Sequence, residues 1–351
     1  VIDQTPLLRG EWLFTTREGY EADLVEEQKH SRHLRVAAPR IIGSGLVASG
    51  GEYQEWAFAR QALFVRSIVR AASSTQLDRA VTAAIRELAA KDGALKQAWA
   101  LQVWCADTLE GNKLARTADV LERSVIAHCA AVDRLWADKR VASARVARES
   151  AGWVAQVCLR SPVEAVLGFQ RAVELHSVHS GGRARMRVEG ESPSRAAKKL
   201  EEAFSWFGEA PSRGDNCVDL GAAPGGWTKV LLDRGAIVTA VDPGQMDIEL
   251  RKNRALTHVV GSAFDFAPET PVDWLFCDMV WRPLEVVALL AKWARRGWAS
   301  VMIANVKLPM KSKGEFVHRL REMLREGGWT RVRARQLYHD REEVTFSANR
   351  K

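Results

Sequence analysis

Cys217-Val218-Asp219-Leu220-Gly221-Ala222-Ala223-Pro224-Gly225-Gly226-Trp227 is the stretch on which the reading of this chain turns. A short apolar run ends in an acid and a glycine-rich turn, and Thr228 to Arg234 then reads as a helix. Parallel sheets open nucleotide-type sites in this way, because small residues let a ligand lie against the backbone beside free helix N–H groups. The turn is not the dinucleotide fingerprint. That pattern needs G-x-G-x-x-G, and Ala223 stands where its second glycine belongs.

Working outward, Ile237 to Val241 is a second apolar run, closed by Asp242 about twenty residues past the turn. An acid so placed accepts the two ribose hydroxyls of an adenosine. Gly261-Ser262-Ala263-Phe264-Asp265 follows, with Asp265 expected at the adenine amino group. Trp274 to Cys277 runs into Asp278, and Val301 to Val306 runs into Lys307. Each run is short and apolar, as suits a strand buried on both faces of a parallel sheet, and ligands bind at the carboxyl ends of such strands. The acid on the first strand, Gly221 and the Pro-Gly-Gly turn resemble the S-adenosylmethionine site of Rossmann-like methyltransferases. That resemblance implies cofactor contacts from Asp219, Gly221, Ala222, Pro224, Gly225, Gly226, Trp227, Asp242, Asp265 and Asp278.

Lys199, Asp278, Lys307 and Glu343 lie in Lys198-Lys199-Leu200-Glu201-Glu202, Cys277-Asp278-Met279, Asn305-Val306-Lys307-Leu308-Pro309 and Arg341-Glu342-Glu343-Val344. Their order and contexts resemble the Lys-Asp-Lys-Glu tetrad of the FtsJ-like ribose 2′-O-methyltransferases. Ser194 to Phe204, Val306 to Lys311 and Arg335 to Thr345 are similar to the RlmM-like branch, whose substrate is a cytidine ribose of large-subunit (23S) ribosomal RNA. The likeness covers residues 181–351 and thins before them. It implies S-adenosyl-L-methionine as cofactor, Lys307 as base or hydroxyl-orienting group, Lys199 and Asp278 as its tuners, and Glu343 as a positioning acceptor. Lys198 adjoins Lys199, so the tetrad lysine is placed by its spacing to Leu200-Glu201-Glu202. A ribose hydroxyl is a poor nucleophile that must be oriented and relieved of its proton. A lysine of ordinary pKa, about 10.4, is a cation at neutral pH. Burial and the neighbouring Lys199 charge are therefore expected to ease proton loss from Lys307.

The chain has 351 residues, enough for two or three domains, and a net charge of +8. Residues 181–351 hold 28 basic and 22 acidic side chains, which places most of the excess in the half with the candidate site. A concentrated positive field suits a phosphate-bearing partner. The expected partner is ribosomal RNA, free or in a large-subunit assembly intermediate, and neither DNA nor a membrane. Five cysteines without C-x-x-C spacing read as buried free thiols in a reducing compartment, the cytoplasm, and no cluster has metal spacing. No apolar run approaches the length of a membrane span, and no secretory signal pattern opens the sequence.

Residues 1–180 read as an α+β region. Strands are expected at Glu11–Thr15, Ala62–Val65, Ala100–Trp104 and Gly152–Leu159. Helices are expected at Gly19–Glu27, after a Ser74-Thr75 cap, and from Lys113 to Trp136. Pattern supports no more than α+β; the name ferredoxin-like or THUMP-like RNA-binding module comes from the resemblance. A linker is expected over Ser177 to Ser194, where Arg183, Arg185 and Arg187 alternate as if facing phosphate. Most of the 13 tryptophans are expected in cores. The expected fold is thus α/β, with a C-terminal Rossmann-like sheet (181–351) behind an N-terminal RNA-binding region (1–180). Two rivals stand beside ribose methylation. One is methylation of another acceptor, against which the tetrad argues. The other is a non-catalytic RNA-binding assembly factor that keeps the fold.

Overall fold

The computed structural model describes residues 2–30, 38–184 and 195–350. The chain divides into two compact units, Val1–Arg183 and Ala184–Lys351.

Unit 1 holds two four-stranded sheets. Strands β1 (Trp12–Thr15), β2 (Arg40–Gly43), β3 (Leu46–Ser49) and β4 (Gln61–Phe64) form one, in the order β2-β3-β1-β4 and antiparallel throughout. Helix α1 (Glu21–Lys29) follows β1, whereas residues 50–60 join β3 to β4 without a helix. The second sheet takes β5 (Ser67–Arg70), β6 (Trp99–Trp104), β7 (Trp153–Ser161) and β8 (Glu164–Arg171) in the order β5-β8-β7-β6, with only β6 and β7 parallel. Its helices are α2 (Ser74–Lys91), α3 (Leu109–Asn112), α4 (Ala115–Val132), α5 (Arg134–Ala137) and α6 (Ala144–Glu149). Leu77, Val81, Ile85 and Leu88 recur at helical spacing on α2 and pack with Trp99, Val125 and Trp136 into its core.

Three expectations for this unit are corrected. Ser73, not Ser74, caps α2, its hydroxyl accepting the Gln76 N–H at 3.3 Å. The helix from Lys113 to Trp136 is broken at Asp133, whose backbone is extended (φ −154°, ψ 94°). The Asp133 carboxylate instead caps the next helix, taking the Trp136 N–H at 3.1 Å and Arg86 at 2.9 Å. Ser177 to Gly182 is no linker. Ser177 and Gly182 are buried, and the Gln61 amide donates to the carbonyls of Ser177 and His179. Arg183 is likewise committed, donating to the carbonyls of Cys105 (3.2 Å) and Ala106 (3.1 Å) and to Asn112 (3.0 Å). Ser194, Arg185 and Arg187 lie outside the described residues.

Unit 2 begins with α7 (Arg195–Phe207) and builds one seven-stranded sheet. Its elements are β9 (Asn216–Leu220), α8 (Gly226–Asp233), β10 (Ile237–Val241), β11 (Leu256–Val259), β12 (Val272–Cys277), α9 (Pro283–Arg296), β13 (Ala299–Lys307), α10 (Lys313–Glu326), β14 (Thr330–Arg335) and β15 (Glu343–Asn349). The order is β11-β10-β9-β12-β13-β15-β14. Strands β9 to β13 pair in parallel; the apolar runs predict four of them, and β11 is an addition. The sheet is nevertheless mixed, because β15 enters antiparallel between β13 and β14.

This is a Rossmann-like α/β architecture. From β9 the chain winds outward through α8 to β10, and from β12 it winds the other way through α9 to β13. Right-handed crossovers then set those helices on opposite faces, with a switch point between the carboxyl ends of β9 and β12. On one face Leu200, Ala203 and Phe204 of α7 and Leu231 of α8 pack on Trp274, Phe276 and Ile303. Pro283 opens α9, and Gly297 in the left-handed region (φ 67°) closes it. Among the described residues no helix is long and apolar enough to cross a membrane.

Candidate active site

The glycine-rich turn sits at the switch point, and its geometry forbids side chains at two places. Gly221 has φ +77°, and a Cβ there would stand 2.6 Å from Met279 Cγ; Gly225 has φ +120°, and its Cβ would run into Leu250. Gly225 is the N-cap of α8, so the first N–H groups of that helix, from Gly226 onward, lie at the turn. Ala222 is buried, while Pro224 is exposed on the turn.

Asp242 and Asp219 flank it, and a third acid, Asp265, lies further along the chain. Asp242 is half-buried and accepts the Ala223 N–H at 3.2 Å and the Gly244 N–H at 2.6 Å, one on each oxygen. It therefore holds the turn closed and keeps a second lone pair on each oxygen for a ligand hydroxyl. Asp265 is exposed beyond β11. Asp219 is 1% exposed, with Oδ2 taking the Thr228 hydroxyl at 2.7 Å and Oδ1 buried without a partner among the described residues. Burial pushes its carboxyl up to about 7, with the nearby Asp278 and Asp242 charges adding to the rise and the Thr228 bond opposing it. A buried acid short of a donor, beside two further acids and two positions without room for a Cβ, fits a ligand that brings hydroxyls and a positive charge. Trp227 belongs elsewhere: its indole is buried in the core, its Nε1 donating to the Ala196 carbonyl at 3.0 Å, which leaves it only backbone to offer.

Beyond the turn, Lys199, Asp278, Lys307 and Glu343 come from α7, the end of β12, the end of β13 and the start of β15. Lys307 and Glu343 face each other in the β13–β15 register, and one step inward Asn305 faces Thr345. Lys199 Nζ donates to Glu343 Oε2 and lies 3.9 Å from Asp340 Oδ1. Burial alone would lower the Lys199 ammonium, but Asp340, Glu343 and Asp278 outweigh it and hold it raised. Lys198 is half-buried and takes no part in these contacts, so the spacing to Leu200 picks the lysine that faces the site. Asp278 accepts Asn305 Nδ2 at 3.2 Å; burial raises its carboxyl, against Lys199, the Asn305 bond and Lys307.

The burial expected of Lys307 is not found. Its side chain is exposed. Nearby, His339 Nδ1 meets Glu202 at 2.7 Å, and the Glu202 carboxylate also takes the backbone N–H groups of Tyr338 and His339.

Sequence reasoning passed over Asn305, Asp340 and Thr345, all buried, and the Thr228 partner of Asp219. A period-2 signal marks two of them. Asn305 stands two residues before Lys307 on β13, and Thr345 two after Glu343 on β15, so each shares a face with a tetrad residue. The five cysteines are all buried, and no cluster among the described residues has the make-up to hold a metal. Eight tryptophans are buried; Trp281, three residues past Asp278, is 52% exposed and is the one classed as exposed.

Residues 193–303 match the FtsJ-like methyltransferase family. The chain is 45% identical over 172 residues to ribosomal RNA large subunit methyltransferase M of Halorhodospira halophila, covering 48% of this chain and 50% of that one. It is 43% identical over 180 residues to the protein of that name in Edwardsiella ictaluri (48% of each), and 40% identical over 205 residues to the one in Shewanella sp. strain W3-18-1 (55% and 56%). In each case the match spans about half the length of the curated relative. Unit 2 is thus similar in sequence to FtsJ-like methyltransferases and to the large-subunit ribosomal RNA methyltransferases M.

Proposed function

We propose that the protein transfers a methyl group from S-adenosylmethionine to the 2′-hydroxyl of a ribose, a cytidine's, in large-subunit (23S) ribosomal RNA. The observation that carries this reading is the meeting of Lys199, Asp278, Lys307 and Glu343 at the carboxyl edge of the sheet, next to the glycine-walled turn. Supporting it are the similar proteins, which bear the name of large-subunit ribosomal RNA methyltransferases. The basic excess of residues 181–351 points the same way.

When bound, S-adenosylmethionine supplies a methyl group already activated by the positive sulfonium. Asp242 would hold the ribose hydroxyls, Asp265 the adenine amino group, and Asp219, Gly221 and the first N–H groups of α8 the amino-acid end. Lys307 orients the acceptor hydroxyl and takes its proton. Only the neutral amine of a lysine can accept a proton, so this role requires RNA to land on Lys307 and remove its water. Lys199 stays a cation, fixed by Glu343, and its charge disfavours a second positive charge beside it. Asp278 balances the pair, and Glu343 keeps Lys199 in place. Unit 1 supplies the second RNA contact, because phosphate attraction to a basic catalytic unit positions RNA without choosing a nucleotide. The site of action is the cytoplasm, where ribosomal RNA is made and assembled.

The test is incubation of the full chain with labelled S-adenosylmethionine and unmodified ribosomal RNA, followed by mapping of ribose methylation. One labelled cytidine in the large-subunit RNA supports the reading. Label on a base, on protein or nowhere rejects it.

A further inference from the structure

Beside the tetrad lies a second set of side chains that neither the sequence reading nor the proposed chemistry uses. Asp340, in the loop between β14 and β15, is 1% exposed although it carries a carboxyl group. Its Oδ2 accepts the Leu337 N–H at 2.9 Å and lies 3.2 Å from the Thr345 hydroxyl. That hydroxyl is also 2.5 Å from Asn305 Oδ1, and Asn305 donates its amide hydrogen to Asp278 at 3.2 Å. On its other side, Asp340 Oδ1 stands 3.9 Å from Lys199 Nζ. The contacts therefore run from Asp278 through Asn305, Thr345 and Asp340 to Lys199, and on to Glu343. All three intermediates are buried, which strengthens each link relative to water.

We propose that Asp340 is a positioning residue for methyl transfer, setting where the Lys199 ammonium stands and, through Thr345 and Asn305, tying it to the Asp278 carboxylate. The proposal rests on the tetrad chemistry given under Proposed function. It adds a reason why a lysine on a helix and an acid at a strand end keep a fixed spacing. Lys199 sits on a flexible four-carbon stem, and Glu343 grips it from one side only. Asp340 places a carboxyl group 3.9 Å from the ammonium on a different segment, held by a backbone N–H and so unable to follow the lysine. Burial raises the Asp340 carboxyl well above its ordinary range and the Lys199 ammonium opposes that rise, so the two groups are electrostatically coupled. Packing alone gives no reason for an acid at this place, since an apolar side chain would fill the volume without the penalty of burying a carboxyl.

The experiment compares Asp340→Asn, Thr345→Val and Thr345→Ser in the full chain. The readouts are single-turnover methyl transfer, calorimetric affinity for S-adenosylmethionine, RNA affinity, and competitive acetylation of Lys199 in the free protein. Asp340→Asn should slow transfer by about 10- to 100-fold, the loss expected for a reacting group displaced by about an ångström. Both affinities should stay within about twofold, and Lys199 should acetylate several-fold faster. Thr345→Val should slow transfer in the same way, and Thr345→Ser, which keeps the hydroxyl, should restore it. In a Lys199→Ala background Asp340→Asn should add nothing further. The proposal is overturned if Asp340→Asn leaves both rate and Lys199 labelling unchanged, or if its loss multiplies with that of Lys199→Ala. Should Asp340→Asn not fold, the Thr345 pair decides, and equal rates for Val and Ser overturn it. If the wild-type chain methylates no RNA, the reading under Proposed function fails. The acetylation rates then still decide whether Asp340 sets Lys199.

Discussion

Asp219→Asn should make the free protein more stable at pH 8 and its cofactor site weaker. In the folded chain the Asp219 carboxyl titrates near 7 rather than 3.8, because burial, then Asp278 and Asp242, disfavour its charge. The folded state thus keeps a proton that the unfolded chain has already lost. Stability therefore falls as pH rises from about 4 through about 7, and the loss is complete above 7. Three pH units correspond to about 4 kcal/mol at 1.36 kcal/mol each. An amide escapes that penalty and still accepts the Thr228 hydroxyl, so a net gain of about 1–3 kcal/mol at pH 8 is expected, after about 1 kcal/mol for weaker bonding. Near pH 4, where that penalty is absent, the variant should be less stable than wild type by about 1 kcal/mol, the cost of the weaker bond. The affinity for S-adenosylmethionine should fall about 10- to 100-fold, since a charged partner of a cation is lost. Urea unfolding at pH 5 and pH 8, with calorimetric titration of cofactor, measures both effects. A variant less stable than wild type by the same margin at both pH values would refute the reasoning, for Asp219 would then be an ordinary structural acceptor.

Three further outcomes are expected. Lys307→Ala should abolish methyl transfer and spare cofactor affinity, and Lys307→Arg should fail equally, because guanidinium does not release its proton near neutral pH; single-turnover rates and calorimetry check both. Asp242→Ala should weaken S-adenosylmethionine by about 1–3 kcal/mol through lost hydrogen bonds to a charged acceptor, measured by titration. Trp281→Ala should weaken RNA by about 1–3 kcal/mol, the worth of one stacked base, and leave the salt slope of binding unchanged. The indole is available for stacking: it is half-exposed, tilted at 53° to Phe264 with ring centres 5.7 Å apart, and bonded to Glu285 at 2.7 Å.

The turn and its strands were legible because each is written locally. Apolar runs ending in a charged residue reported β9, β10, β12 and β13, since a strand buried on both faces has few polar positions to blur it. β15 was not reported as a strand. Its alternation of Glu343, Val344, Thr345 and Phe346 puts polar groups into a buried catalytic face, and its antiparallel entry depends on a partner more than thirty residues away. Asp133 shows the opposite failure. Helical periodicity continues across it, and the break shows only in its extended backbone and in the side chain's bond to the Trp136 N–H. Lys307 was placed by motif, but its exposure is a property of the edge on which β13 ends. Asp340 was invisible for a third reason: one acid among Tyr338-His339-Asp340-Arg341-Glu342-Glu343 carries no mark of which one the fold buries.

The contact between Lys199 and Glu343 joins residues 144 positions apart. It links the first helix of unit 2 to its last strand, while Asp278 and Lys307 enter from two strands between them. No contiguous half of the unit contains the full set. Contacts closed over such separations form after local ones, because the loop entropy must be met before the contact is made. On the proposed chemistry, reactivity would then belong to the finished unit alone, withheld until the first helix and the last strand have met.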